Sequence, residues 1–401
     1  MRELAPGWTW SRVGDLFDMQ LGKMLSKEAS AGLEQRQYLT NKNVQWNRID
    51  FEALNYMSFS SAEREKFRLG QGDLLVTEGG EVGRTAIWQG ERDECYFQKS
   101  LHRLRSRGQI DPRYMLHYMN YAARWQMFTD SVGQTSIAHL PQDKFAEHLV
   151  VHPADLAEQR RIVEVIENFS ALERGVEASI AKLQSVRQGA LLDSMSRIQP
   201  EWAPVRDLGE VRMGKQLSPA SRMGAGQWPY LRVANVYEGR IDYSDVNAMA
   251  FSAAERDTYG LMSGDILLNE GQENLMMVGR SALYDGAPGE FGFQNTLIRF
   301  RPGPAVVPEF AQAVFVWWRM NAVFAGIAEK TSISHLGGSR FGALLFPLIP
   351  VAAQRRIVES LDAVEDQRLT EVAELSKLRR LKQGFMDDLL SGRVVVSAVA
   401  V

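Results

Sequence analysis

The run Gln159-Arg160-Arg161-Ile162-Val163-Glu164 returns as Gln354-Arg355-Arg356-Ile357-Val358-Glu359, so any admissible fold must be one that can be built twice along the chain. The repeat reaches far beyond six residues. Trp10, Val13, Asp15 and Leu16 recur as Trp202, Val205, Asp207 and Leu208, a displacement of 192. The same displacement carries Gly22-Lys23 to Gly214-Lys215, Tyr38-Leu39 to Tyr230-Leu231, Asn43-Val44 to Asn235-Val236, and Gly72-Asp73 to Gly264-Asp265. It then steps to 196: Val82-Gly83-Arg84 matches Val278-Gly279-Arg280, Thr135-Ser136-Ile137 matches Thr331-Ser332-Ile333, and His139-Leu140 matches His335-Leu336. Four residues have entered the second copy within Gly271 to Met277. One ancestral half has been used twice, with a period far too long for a solenoid.

Each copy of the hexapeptide follows a proline (Pro153, Pro350) and opens a stretch with no further proline before Pro200 or the last residue. Apolar residues after the first copy fall at Ile162, Ile166, Phe169, Leu172, Val176, Ile180, Leu183, Val186 and Ala190. Their mean spacing of about 3.5 residues is that of a left-handed coiled-coil seam. The second stripe, Ile357, Leu361, Val364, Leu369, Val372, Leu375, Leu378, Phe385 and Leu389, is looser but continuous. At about 1.5 Å per residue, forty residues make a rod of roughly 60 Å. Two such narrow-faced rods in one chain are expected to pack on each other. The chain therefore divides into a globular domain at 1–153, a helix at 154–198, a second domain at 199–350, a second helix at 351–392 and a tail at 393–401, expected to be disordered.

Within the globular parts, short β-rich runs dominate: Leu74-Leu75-Val76, Thr85-Ala86-Ile87-Trp88 and Ile266-Leu267-Leu268. A helix is predicted from Asp111-Pro112, with aspartate as N-cap, proline at the first helical position and a buried face of Met115, Met119, Ala122 and Trp125. Its counterpart after Pro308 is apolar on nearly every side (Phe310, Val314, Phe315, Trp317, Trp318) and should be wedged in a core. Each globular part reads as α+β.

Composition narrows the chemistry. The single cysteine, Cys95, excludes a disulfide framework and a thiolate metal cluster, and suits a reducing, cytoplasmic setting. The opening Met-Arg-Glu-Leu-Ala-Pro-Gly-Trp has no signal-peptide apolar region. The most membrane-like run, 310–328, is interrupted by Gln312, Arg319 and Asn321, so no membrane span is expected. A net charge of −3 gives no global basic field, so nucleic-acid binding would need local patches or partner subunits. Gly209 to Gly214-Lys215 fits a phosphate-loop spacing, but Gln216 stands where a Mg²⁺-binding Ser or Thr belongs, and Phe17 replaces Gly209 in the first half. The six histidines show no metal-ligand spacing, and no catalytic constellation is present.

Candidate contacts to DNA come from matched positions. Lys23 and Lys215, and Arg84 and Arg280, each follow a glycine, where a cation can approach a phosphate without side-chain crowding. They suit phosphate contact, or are surface residues matched by shared ancestry alone. Thr135 and Ser136, with Thr331 and Ser332, carry small groups suited to phosphates or base edges, and equally to a helix N-cap; Gln134 beside them is a further candidate DNA contact. His139 and His335 either contact DNA or satisfy backbone groups near a turn. Arg103 and Arg105, like Arg299 and Arg301, share one face of a strand, expected to be a solvated sheet face.

In order and in duplicate, these features resemble the specificity (S) subunit of type I restriction–modification systems, over essentially the whole chain. The residues that carry the likeness are Trp202 with Leu208, Gly72-Asp73-Leu74-Leu75, Thr135-Ser136-Ile137, and Pro153 through Glu158-Gln159 to Ile162. Two departures stand out: Ala353 precedes Gln354 where Glu158 precedes Gln159, and Glu329-Lys330 stands for Gly133-Gln134. The resemblance implies two tandem target-recognition domains whose helices pair as an antiparallel coiled coil with pseudo-twofold symmetry. It implies a non-catalytic subunit that recognises a bipartite site in double-stranded DNA and docks two methyltransferase (M) subunits and restriction (R) subunits. No cofactor is then expected in this chain; S-adenosylmethionine, ATP and Mg²⁺ would belong to the partners. The unequal loops near Arg84 and Arg280 suggest two different half-sites. The alternatives are a coiled-coil scaffold for a multi-protein complex, or the recognition subunit of a related methyltransferase-only system.

Overall fold

The structure is a computed structural model that describes residues 4–128, 139–329 and 334–394. It divides into two compact units, Met1–Glu177 with Ala373–Val401, and Ala178–Val372. Each unit therefore holds one globular head and parts of both long helices.

In the first head, four antiparallel strands lie in the order Phe17–Leu21, Leu101–Ser106, Leu74–Thr77, Thr85–Ile87. A three-stranded sheet orders Asn55–Ser58, Gln35–Leu39 and Tyr96–Phe97, and Trp8–Arg12 pairs with Leu149–Pro153. Side chains alternate across a strand. Leu74 and Val76 accordingly face a core with helix α1 (Pro112–Arg124), while Leu75 faces a second core with Tyr38, Met57 and Phe97. Burial on both faces explains why this strand opens with three consecutive apolar residues, Leu74, Leu75 and Val76, rather than alternating. The N-cap reading of α1 holds, since Asp111 accepts a bond from the Arg113 amide at 2.9 Å. Its buried face is Tyr114, Met115, Tyr118, Met119 and Ala122. Trp125, expected on that face, instead sits at the C-cap, 59% exposed, and its indole N–H donates to Asp387.

The second head repeats the plan strand for strand. Its four-stranded sheet runs Gly209–Met213, Leu297–Pro302, Ile266–Asn269, Ser281–Leu283, and its three-stranded sheet runs Asn247–Ala250, Gln227–Leu231, Gly292–Phe293. Helix α3, taken here as Pro308–Met320 after the long helix α2 (Leu156–Arg197), buries Phe310, Val314, Phe315 and Trp318 in the core, as its composition requires.

The central strand corrects one expectation. Arg103 and Arg299 are 5% and 1% exposed, not solvated, because the strand that carries them is covered on both faces. Burial obliges each guanidinium to find a carboxylate: Arg103 bonds Asp18 at 2.9 Å and Arg299 bonds Glu210 at 2.8 Å. Arg105 and Arg301 make two-pronged bonds, all at 2.7 Å, to Asp73 and Asp265. Those aspartates also accept the amides of Gly70 and Met262, so the Gly-Asp motif is a buried turn clamp.

The repeated hexapeptide owes its glutamine to a latch. Gln159, fully buried, accepts from the Asp111 amide (2.8 Å) and donates to the carbonyls of Gln109 (3.1 Å) and Pro153 (2.8 Å). At the start of helix α4 (Val351–Leu390), Gln354 accepts from Val307 and donates to Ala305 and Ile349. One side-chain amide thus ties each long helix to the head before it, with or without the preceding glutamate.

In the first unit, Phe169 meets Phe385 at 5.2 Å and Glu173 pairs with Lys382 at 2.8 Å, while Glu177 pairs with Arg379. Rising numbers on α2 meet falling numbers on α4, so the two segments run antiparallel. In the second unit, Leu191 and Met195 share a core with Ile357, Val358 and Leu361, and Arg187 lies 3.6 Å from Glu365. The seam is tightest beside each head. Leu172, Val186, Leu369 and Val372, expected within it, are 40–58% exposed, because one partner helix covers only a narrow strip of each rod.

Candidate nucleic-acid interface

Lys23 and Lys215 do not point outward as free cations. Each ammonium donates to a carbonyl (Ser58 O at 2.8 Å, Ala250 O at 2.7 Å) and to a carboxylate (Glu63 and Glu255, both at 2.7 Å). The same carboxylates close helix-capping boxes with Ser60 and Ser252. The hydrogen bond from its lysine is the main influence holding each glutamate below the usual carboxylate range. Gly22 and Gly214 precede them because the backbone there passes directly against Gln98 and Gln294, with no room for a Cβ. Where phosphate contact was the expectation, this structure shows each lysine as an internal brace. The phosphate-loop spacing likewise dissolves, since Gly209–Met213 is a sheet strand.

Arg84 bonds the Asn41 carbonyl and Glu81, and Arg280 bonds the Val236 carbonyl while lying 4.9 Å from the Tyr237 ring centre. Both follow glycines at positive φ (82° and 76°), and a Cβ on Gly279 would collide with Phe324. These arginines pin neighbouring loops in place, leaving only part of each guanidinium open. Gln134, Thr135, Ser136, Thr331 and Ser332 lie outside the described residues.

The structure gathers a different set of groups. A cleft of about 230 Å³ in the first head is lined by Asn41, Glu78, Gly79, Gly80, Gln98, Lys99, Ser100 and His139. His139 bridges to Gly79 through backbone and is itself exposed. In the second head, His335 Nδ1–H donates to Glu270 at 2.9 Å, and the inserted residues form a short ladder, Gly271–Gln272 with Ser334–His335. The two histidines thus occupy matching places in different company. Sequence reasoning missed Asn41, Gln98, Lys99 and Ser100. The recurrence of Gln98 and Ser100 as Gln294 and Thr296, at the 196 displacement, was the available signal. Among the described residues there is no cluster able to hold a metal ion, and no helix is long and apolar enough to cross a membrane.

Two related α+β heads, each latched to a long helix, recur in known proteins to which the chain is similar. Residues 6–182 match the family model described as type I restriction modification DNA specificity domain. A putative type I restriction enzyme MjaX specificity subunit from Methanocaldococcus jannaschii is 21% identical, over 87% of this chain and 85% of that one. Among solved structures, a chain from a type I R-M system studied for complex assembly and conformational transition matches with a TM-score of 0.69 at 15% identity, covering 98% of this chain and all of its own. The HsdS subunit from Thermoanaerobacter tengcongensis matches with a TM-score of 0.55 at 17% identity, over 98% and 99% of the two chains. Over residues 6–182 the chain thus matches a DNA specificity domain, over most of its length it is similar to a type I specificity subunit, and it shares the fold of the solved chains.

Proposed function

We propose that the chain reads a bipartite target in double-stranded DNA, one half-site per head, and that the long helices set the distance between the half-sites. The observation that carries this reading is the duplicated head with its duplicated glutamine latch: Gln159 and Gln354 bind equivalent backbone groups, so each head is fixed to its own rod. A head fixed to a rod turns length into a ruler. At about 1.5 Å per residue, helices of 42 and 40 residues measure roughly 60 Å, ample beside a duplex repeat of about 34 Å.

The chain docks two methyltransferase subunits, with restriction subunits joining the full complex; S-adenosylmethionine, ATP and Mg²⁺ act there and not here. Support comes from apolar surface that the paired rods leave open: in the first unit Ala171, Leu172, Gly175 and Val176 line an open groove of about 520 Å³. The near-neutral net charge is consistent with DNA affinity that depends on these partners.

The test is to express the chain with a type I methyltransferase subunit and map modified bases across a genome. A split motif with one fixed gap is expected. Inserting seven helical residues into each rod should lengthen that gap, since seven residues add about 10 Å. Modification without a fixed gap, or a gap indifferent to rod length, overturns the reading.

A further inference from the structure

We propose that the loop position held by Lys99 in the first head and Asn295 in the second determines specificity, Lys99 reading a guanine edge in one half-site and Asn295 an adenine edge in the other. The inference rests on the DNA-specificity reading above and names where that reading takes place.

The two positions are structurally the same. The Lys99 amide donates to Lys23 O and the Asn295 amide to Lys215 O, both at 3.0 Å. The next residue is held equally in both heads: Ser100 O and Thr296 O accept from the amides of Glu78 and Glu270, at 2.9 and 3.0 Å. Their hydroxyls accept from the amides of Asn41 and Val233, at 3.1 and 3.2 Å. The main chain of Lys23 and Lys215, rather than their ammonium groups, is what touches this loop.

The backbone at the position is over-determined, yet neither side chain has a hydrogen bond or ion pair among the described residues. Lys99 is exposed at the edge of the cleft shared by Asn41, Gln98 and His139. With the backbone fixed and the side chain unpaired, each position leaves its polar group open to a base edge. Its chemistry decides which ligand. An ammonium offers donors only and suits the acceptor pair N7 and O6 of guanine, whereas a carboxamide offers one donor and one acceptor and suits N7 and N6 of adenine. The flanking position changes with it, from Asn41 to Val233, so the cleft differs between heads as a set while its frame does not.

The experiment substitutes Lys99→Asn and, separately, Asn295→Lys in the full chain assembled with its methyltransferase subunits, and maps methylated motifs. Lys99→Asn should move one base pair of one half-site from G·C toward A·T, with a change in preference of about tenfold or more, and leave the other half-site intact. Asn295→Lys should do the converse in the other half. Lys99→Ala, which carries no new reading group, should relax that base pair without replacing it. A wild-type motif that stays unchanged in all three variants overturns the proposal. So does a uniform loss of binding to every sequence with the salt slope reduced by about one, which marks Lys99 as a phosphate contact. A wild-type complex with no split motif would instead sink the underlying reading.

Discussion

The two heads agree where backbone ends must be tied and disagree where space must be filled. Both keep the glutamine latch, the lysine brace and the Arg–Asp turn clamp. Where the partner carboxylate changes, from Asp18 to Glu210, the buried arginine still finds one. Yet His102, His117, His148 and His152 of the first head correspond to Ile298, Ala313, Leu344 and Leu348 of the second. The equivalences are exact in the ladders: His102 faces Leu21 as Ile298 faces Met213, and the carbonyls of His148 and Leu344 accept from Val13 and Val205. A duplicated fold therefore constrains hydrogen-bonding frames more tightly than the polarity of what fills them.

That difference should make one head sensitive to acid. Burial lowers all four histidines, His117 and His148 to about 4; the cations Lys382 and Arg113 add to the effect on His117. A histidine whose folded pKa lies below its unfolded value stays neutral in the fold while the unfolded chain takes up a proton. Its contribution is intact above pH 6.5 and is lost as pH falls toward 4. His117 and His148 should each withdraw about 3 kcal/mol from the first head by pH 4. Hydrogen exchange, corrected for intrinsic rate, should show the first head opening between pH 6.5 and 4.5 while the second stays protected. Loss of both heads together would break the comparison. His148→Leu, which installs the second head's residue, should recover part of the first head's acid tolerance.

The latch should show the opposite pattern, an equal effect in both heads. Gln159→Ala and Gln354→Ala each strand one buried amide and two carbonyls. Each should cost about 3 kcal/mol of local stability, since an unpaired buried polar group costs about 1–3 kcal/mol and water recovers some of the loss. The readout is exchange at the junctions 109–111 and 305–307. An effect at Gln159 alone would mean that the Glu158–Arg161 pair, which Ala353 cannot make, shares in the latch.

How much of this was legible in the sequence depends on what kind of signal a residue leaves. Duplication, the long rods, the Asp111 cap and the buried helix after Pro308 follow from periodicity and local chemistry, which a linear reading sees. The strand arginines, Trp125 and the outer seam residues were misplaced because their surroundings are set by distant chain: Asp18 lies 85 positions from Arg103, and the cover over a rod depends on the partner's width. The braces made by the lysines were hidden for the same reason. A cation after a glycine looks free until Glu63, 40 residues on, is folded against it. Conversely Lys99 and Asn295, unremarkable in sequence because the halves differ there, stand out once the frame around them is seen to be shared.

The smallest expected effect concerns those braces. Lys23→Met and Lys215→Met keep the stem that packs near Phe59 and Phe251 and remove only the charge. Each lysine is mostly covered and its glutamate about a third exposed, so the loss should be about 1 kcal/mol per head. The pH dependence identifies its source. Glu63 and Glu255 are held below their ordinary value of 4.5, so each brace contributes fully above that pH and fades as acid protonates the carboxylate. The variants should consequently differ from wild type at pH 7 and converge with it as acid protonates the two carboxylates, below their ordinary range. Their salt dependence of DNA binding should match wild type, because the charge removed was already neutralised within the head. A slope lower by about one in either variant would return that lysine to the DNA surface. A lower slope in one variant only would mean that the heads use the same brace differently.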